Sequence, residues 1–434
     1  MSAAEVLQLR PSKWTDQLII KITKKDMVVE DVPANAIVAL RYHPDWNEVI
    51  AYDEFQQTVV TLREPPWSEA ESRPASKIGK IGPWTDGDSI RLQAWLRREG
   101  GLEIKLGRDA VDSALIVASE ANPIDPPRDF LERLEWDARL RIGSNPSEFH
   151  PDGCVSWLTR YLGVPDSPYT RWVGRWFLIA SVARIMQPGC KVDNALVLEG
   201  PQGAKKSTAA RILYHPWYSD TPIDLANKDR FGSIQGVWGY ELAEFDAYTK
   251  HEASVIKAFV SSKADKYRPP YLRRDIVAPR RCIFLATINP GKQYLQDETG
   301  GRRWWPVHCG MIDLAALERD REALWAEAVQ AYAADERWWP ETLPEHGACR
   351  EEQGHRLSLD PWDDPIRDWL ATDARAVGDV SVGTILGGTL GIDKSKWSKS
   401  DEMRVGTVLR GAGYKRVRQT EGGVRQYVYR KETT

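Results

Sequence analysis

Lys206 and Ser207 close the stretch GPQGAKKST, which runs from Gly200 to Thr208 directly after the apolar run Ala195–Leu198. A glycine-containing loop between a buried strand and a helix aims backbone N–H groups and the positive end of the helix dipole at a phosphate. Against the template GxxxxGK[ST], Gly200 is the first glycine, Lys206 the phosphate-binding lysine and Ser207 the Mg²⁺-binding hydroxyl. The expected nucleotide contacts are therefore Gly200, Pro201, Gln202, Gly203, Ala204, Lys205, Lys206, Ser207 and Thr208, with ATP and Mg²⁺ as ligands. Lys205 stands where the template has its second glycine, a position that usually needs glycine's backbone freedom. The departure bears on hydrolysis more than on fold. The same residues would also serve as an ordinary loop and helix start.

A phosphate loop needs carboxylates nearby to hold Mg²⁺ and orient the attacking water. The run GVWGYELAEFD, 236–246, offers Glu241 and Glu244 at the end of an apolar strand. Regular alternation puts the two on opposite faces, and a turn between them would bring both to one site. Glu241 is expected on the metal side and Glu244 as the water-orienting base, with exchanged roles left open. The next apolar run, Cys282–Ile288, ends at Asn289, whose amide could meet the γ-phosphate or the water. Two glycines then precede Arg302 and Arg303, a pair suited to an arginine finger acting across a subunit boundary. Either arginine would equally suit an ion pair with Asp297 or Glu298.

Between the acidic strand and the Asn289 strand lies a basic segment. Residues 263–281 hold seven basic side chains against two acids, with Tyr267 and Tyr271 interleaved. Cations hold phosphates while aromatic rings stack on bases. Lys257, Lys263, Lys266, Tyr267, Arg268, Arg273 and Arg274 are the expected nucleic-acid contacts, a solvated surface loop being the other reading.

Several elements must position these groups. Residues 1–120 mix short strands (18–22, 58–62) with a helical patch at 89–99, and Pro65–Lys80 reads as a loop. Residues 121–190 keep helical spacing through Trp157, Tyr161, Leu162, Trp172, Trp176, Phe177 and Ala180. From 191 to 338, apolar runs alternate with helical patterns, the signature of a parallel α/β sheet with crossover helices. Residues 339–365 read as a proline- and acid-rich linker. The tail 366–434 reads as three helices and a basic hairpin with a turn at Gly422-Gly423, a winged-helix-like pattern.

Composition fits a soluble globular chain of two or three domains, with 42% hydrophobic and 28% charged residues over 434 positions. No apolar window is long enough for a membrane span. The start MSAAEVLQLRPSKW lacks a signal peptide's pattern, so a cytoplasmic location is expected. Five cysteines without a CxxC pair argue against a disulfide framework or zinc cluster. A net charge of −3 means that nucleic-acid contact must come from a local patch. Most of the 19 tryptophans are expected in the core, with a minority available to stack on bases.

Taken together, LEGPQGAKKST, WGYELAEFD, KAFVSSKADKYRPPY and YLQDETGGRRWWPV, with LEWDARLRI and PGCKVDNALVLEG upstream, resemble the virulence-associated E protein family. The resemblance covers roughly 120–335. It implies a P-loop ATPase of phages, prophages and genomic islands, often linked to primase modules. The order of the blocks is also similar to that of superfamily 3 helicases, which implies an AAA+-like core and hexameric rings around single-stranded DNA. On that comparison Lys257 and Lys266 match spaced lysines, and Asn289 matches a sensor residue. Residues 1–120 show no primase constellation, so primase activity is not carried over to this chain, and a separate primase is an expected partner. Two functions follow as expectations. One is an oligomeric DNA translocase or helicase. The other is a DNA-binding assembly protein whose nucleotide site, altered at Lys205, hydrolyses weakly.

Overall fold

The computed structural model describes residues 13–23, 26–66, 82–98, 102–139, 141–143, 156–224, 227–243, 245, 250–268, 275–289, 294–295, 301–357, 361–372, 378–421 and 424–431. Among the described residues a short 3-10 helix (Trp14–Gln17) precedes β1 (Ile20–Ile22), β2 (Met27–Val29) and α1 (Pro33–Tyr42). Next come β3 (Ile50–Asp53), β4 (Thr58–Thr61), β5 (Gly82–Pro83), α2 (Asp86–Arg97), α3 (Arg108–Ser119) and β6 (Pro123–Ile124). The sheet β5-β4-β3-β6 packs on α1, α2 and α3 around Trp46, Trp95 and Leu115. The α2 start is fixed by a capping box between Thr85 and Asp88. The β3–β4 hairpin reaches the next unit through its turn. Asp53 Oδ1 accepts from the Phe55 and Gln56 amides, both at 2.8 Å. Phe55 thereby enters the central hydrophobic cluster.

Three helices follow: α4 (Pro126–Glu132), α5 (Trp157–Leu162) and α6 (Pro168–Met186). α6 begins with a Ser167–Thr170 capping box and Pro168 at its first turn. It is apolar on nearly every side, as a helix enclosed by other elements must be.

The central unit is a five-stranded parallel sheet. Its elements are β7 (Ala195–Glu199), α7 (Lys206–Tyr214), β8 (Tyr218–Ser219), β9 (Gly239–Leu242), α8 (Lys250–Val260), the hairpin β10 (Ala264–Tyr267) and β11 (Ile276–Pro279), β12 (Ile283–Ile288) and β13 (Trp304–His308). The strand order is β13-β7-β12-β9-β8, parallel throughout. β7 and β12 are buried along their whole length, as strands covered on both faces are. α9 (Leu314–Ala333) closes one face through Trp325, whose ring centroid lies 4.3 Å from that of Trp238.

Residues 339–365, expected as a linker, contain α10 (Leu343–Gly354). Its Cys349 joins the central cluster and its Gln353 Nε2 donates to Trp304 O at 2.9 Å. Proline and acid content misled the reading because Pro344 lies in the first helical turn, where proline is tolerated. The tail holds α11 (Asp363–Thr372), β14 (Val380–Ser381), α12 (Lys399–Gly411), β15 (Tyr414–Glu421) and β16 (Val424–Lys431). β15 and β16 pair as the expected hairpin, and β14 adds a third strand. The expected turn residues Gly422 and Gly423, and most of the Pro65–Lys80 loop, lie outside the described residues. No helix among the described residues is long and apolar enough to cross a membrane.

Candidate nucleotide site

β7 leads straight into the loop 200–205 and α7. The helix buries Lys206, Ala209, Ala210, Leu213 and Tyr214, a helical spacing that turns one face onto the sheet. Tyr214 lies against Gly239 of β9, where a Cβ would stand 2.2 Å from the tyrosine ring. Only glycine admits this approach, which brings α7 over the strand that carries Glu241.

The contacts at the strand ends are direct. Ser207 Oγ and Thr287 Oγ1 each donate to Glu241 Oε1 at 2.6 Å. Tyr218 donates its hydroxyl to Glu241 Oε2. Burial, followed by that carboxylate, pushes the Tyr218 phenol well above its ordinary range. Glu241 is 2% exposed. Lys206, 7% exposed, donates its ammonium to Gly200 O at 2.5 Å and Pro201 O at 3.0 Å. Burial lowers its pKa, against the pull of Cys309 and Glu241.

The acidic strand is not next to the phosphate-loop strand. β12 lies between β7 and β9, so Glu241 reaches Ser207 past the Thr287 hydroxyl of the intervening strand. Asn289 follows β12 directly and is exposed. Its neighbour Ile288 is in register with Glu199 and accepts from Gly200 N at 3.3 Å, so the Asn289 backbone is level with the loop. Glu244 lies outside the described residues.

Lys205 adopts φ +66° and ψ +22°, left-handed backbone at the N-cap of α7. For a residue with a Cβ this costs about 1–2 kcal/mol. Its side chain is exposed, whereas that of Lys206 is buried. Gly203 also has positive φ, +82°.

Sequence reading missed Tyr218, Thr287 and the support beneath the loop. Glu199, the last residue of β7, takes a two-pronged ion pair from Arg356 at 2.8 and 2.8 Å, and Tyr294 adds a hydrogen bond at 3.0 Å. A threonine within the apolar run of β12 was the available signal for Thr287. Arg356 gave none, because it lies in the stretch read as a linker.

Arg302 and Arg303 stand at the opposite edge of the sheet. They precede β13, where Ala195 N donates to Arg303 O at 2.8 Å and Asn194 Nδ2 to Arg302 O at 2.9 Å. β7 spans five residues, so at about 3.3 Å per residue roughly 15 Å separates these arginines from the loop. They do not reach the loop of their own chain. Neither pairs with a carboxylate among the described residues, and Arg303 Nε donates to Ser261 Oγ at 2.7 Å. Asp297 and Glu298, the carboxylates expected as ion-pair partners, lie outside the described residues.

The basic segment divides in two. Arg280 is buried against Asp265, with Nε–Oδ2 at 2.9 Å, and its guanidinium lies 4.6 Å from the Phe259 ring centroid. Arg281 pairs with Asp125 at 2.6 Å. Both are structural. Lys263, Lys266 and Arg268 are exposed, Lys266 lying 3.8 Å from Asp275. Lys257 sits in the last turn of α8, half-buried. Tyr267 is half-buried, with its hydroxyl on Gln57 Oε1 at 2.7 Å, and burial raises its pKa to about 12. Arg273 and Arg274 lie outside the described residues.

The Virulence-associated protein E-like domain matches residues 131–357, more than half of the chain. No curated protein matches it. An apo structure of the NrS-1 C-terminal region aligns at 10% identity and a TM-score of 0.38, covering 88% of this chain and 96% of that one. An A-form apo structure of the same region aligns at 11% identity and a TM-score of 0.37, covering 88% and 95%. Overlaps this loose support no assignment of fold or activity.

Proposed function

We propose, from the premise that the chain belongs to the virulence-associated protein E-like family, that it is a P-loop ATPase with an AAA+-like core. It translocates along single-stranded DNA as a helicase in phage or mobile-element replication. One observation carries the reading: Ser207 and Thr287 converge on Glu241 at 2.6 Å, beside a buried lysine bonded to two loop carbonyls. Carboxylate and hydroxyl oxygens suit Mg²⁺, so Ser207 and Glu241 fit as its ligands. The ion, when bound, neutralises charge on the phosphate oxygens.

The chain's own groups do the rest. Lys206 turns from the carbonyls of Gly200 and Pro201 to the phosphates, and in its buried setting that contact is stronger than in water. Thr287 and Tyr218 hold the Glu241 carboxylate in one orientation. Glu244 serves as water-orienting base, and Asn289 meets the γ-phosphate or the water. Arg302 and Arg303, too far from their own loop, complete a neighbour's site, which makes the working form a homo-oligomer, a hexamer. Lys257, Lys263, Lys266, Tyr267, Arg268, Arg273 and Arg274 take the strand, and a separate primase is the replication partner. The three-stranded tail with α11 and α12 serves as a winged-helix-like module.

The test is ATP hydrolysis with and without single-stranded DNA. Lys206→Ala is expected to lose about 10²-fold or more in turnover with an unchanged thermal melt. Turnover equal to that of the natural chain defeats the assignment.

The strained Lys205 backbone favours a second reading, a DNA-binding assembly protein with a weakly hydrolysing nucleotide site. Lys205→Gly separates the two. A large gain in DNA-stimulated hydrolysis supports the second reading, and equal rates support the first.

A further inference from the structure

At the edge of the sheet opposite the phosphate loop lies a cavity of about 760 Å³. That volume is within the range of roughly 300–1,000 Å³ common for small-ligand sites. One wall is α10, which turns His346, Cys349, Arg350 and Gln353 toward the cavity at helical spacing. Cys349 and Gln353 are buried against the core, whereas Arg350 is exposed at the mouth. A second wall is the Trp338-Trp339 pair, its rings edge to face with centroids 5.2 Å apart. Trp338 is anchored by its indole N–H to Lys191 O at 3.0 Å. Trp339 remains 45% exposed.

The third side is the base of the β10–β11 hairpin. Lys263 stands there, and its carbonyl accepts from Arg280 N at 2.8 Å. Beneath it Arg184, 1% exposed, donates to Val192 O at 3.0 Å and Arg280 O at 3.3 Å, tying the hairpin base to the cavity floor. The setting is therefore built rather than loose.

The charge balance is one-sided. The lining holds Lys191, Lys263, Arg302, Arg303 and Arg350, against the single carboxylate of Asp193, which lies 3.4 Å from Lys191. Among the described residues, no carboxylate pairs with Lys263, Arg302, Arg303 or Arg350. An exposed indole beside an excess of cations matches the chemistry of one nucleotide, a flat base and an anionic phosphate.

We propose that this cavity is a binding site for a nucleotide unit, with the base on Trp339 and the phosphate between Lys263 and Arg350. The hairpin leads a single strand to it, because Lys263 directly precedes β10, which carries Lys266 and Tyr267 and is followed by Arg268. The site deepens the nucleic-acid half of the proposed function and rests on that reading. Trp339 and Arg350 have no part in the phosphate-loop chemistry.

The test uses the full chain carrying Lys206→Ala, which suppresses the phosphate-loop site. Binding of a fluorescent oligo-dT strand is followed by anisotropy over a salt series, and a fluorescent ATP analogue is titrated separately. Trp339→Ala is expected to weaken strand binding about five-fold or more with the salt slope unchanged, and Trp339→Phe to restore most of the affinity. Arg350→Ala is expected to weaken binding and reduce the salt slope by about one. Loss of ATP-analogue binding on Trp339→Ala would assign the unit to a free nucleotide and uphold the site. Strand affinity, slope and ATP-analogue binding all unchanged in both variants overturn it. So does an effect of these variants, in the Lys206-bearing chain, on hydrolysis alone, which would give the cavity to a neighbour's triphosphate. A parent chain that binds no strand at all removes the nucleic-acid reading together with the site.

Discussion

The two edges of the central sheet handle charge in opposite ways. At the carboxyl edge two charged groups are buried and partnered within the chain: Glu241 is 2% exposed with two hydroxyls at 2.6 Å, and Lys206 is 7% exposed on loop carbonyls. At the amino edge, Lys263, Arg302 and Arg350 are exposed and meet no carboxylate among the described residues. Buried polar groups must be satisfied or they cost stability, so the first edge is preorganised by its own partners. Exposed cations cost little to leave unpaired, so the second edge is free to meet something from outside the chain. One end is a site preorganised by its own chain. The other suits a neighbour or a strand.

The largest expected effect joins the two edges. Arg302→Ala and Arg303→Ala together should lower ATP turnover by about 10³-fold, within the range for arginine fingers. Mixing that variant with the Lys206→Ala chain should recover part of the activity, since one variant lends its arginines to the other's loop. No recovery in a steady-state ATPase assay of the mixture would separate the edges functionally.

At the carboxyl edge alone, Glu241→Gln should lower turnover by about 10²-fold or more while nucleotide binding, read by equilibrium titration, persists. Equal turnover would leave the buried cluster a structural feature only.

Arg356→Ala leaves Glu199 buried without its ion-pair partner and should destabilise the chain by about 3 kcal/mol, read from chemical denaturation. A change below about 0.5 kcal/mol would mean that the Tyr294 hydroxyl suffices for the support beneath the loop.

At the amino edge, α10 is held by Arg337, whose guanidinium meets both oxygens of Glu345 at 2.7 and 2.5 Å. Burial alone would raise the Glu345 pKa, but Arg337 and the amides of Glu341 and Thr342 outweigh it and hold it at about 2. The folded value lies below the ordinary one of 4.5, so the pair's stabilisation is present above that pH and fades as pH falls toward 2. The melting-temperature deficit of Arg337→Ala should therefore be larger at pH 6 than at pH 3. A deficit independent of pH would assign the effect to lost packing on Trp176.

The smallest effect is at Lys205. Relief of its left-handed backbone by Lys205→Gly should stabilise the chain by about 1 kcal/mol, less the entropy that glycine adds to the unfolded state.

Much of the strand, loop and helix from 195 to 214 was legible in the sequence, because its pattern is local. The apolar run, the loop from Gly200 and the helical spacing 206, 209, 210, 213 and 214 all lie within about twenty residues, and β7 and α7 fall where that pattern put them. The basic hairpin of the tail was legible for the same reason, since alternation around a glycine pair fixes two strands. Charge counting was less reliable. Arg280 and Arg281 counted toward the basic segment, yet they are spent on Asp265 and Asp125.

By itself, the sequence placed the strand, loop and helix from 195 to 214 and the two strands of the tail hairpin, because propensity, loop chemistry and periodicity act over a few residues. Only the tertiary structure decided that β12 lies between β7 and β9, that Thr287 and Tyr218 share Glu241, and that Arg356 supports Glu199 across 157 positions of chain. It also decided that α10, read as a linker, walls a basic cavity with Trp339. Those outcomes depend on which buried faces meet in three dimensions, and no local pattern encodes the partner of a buried face.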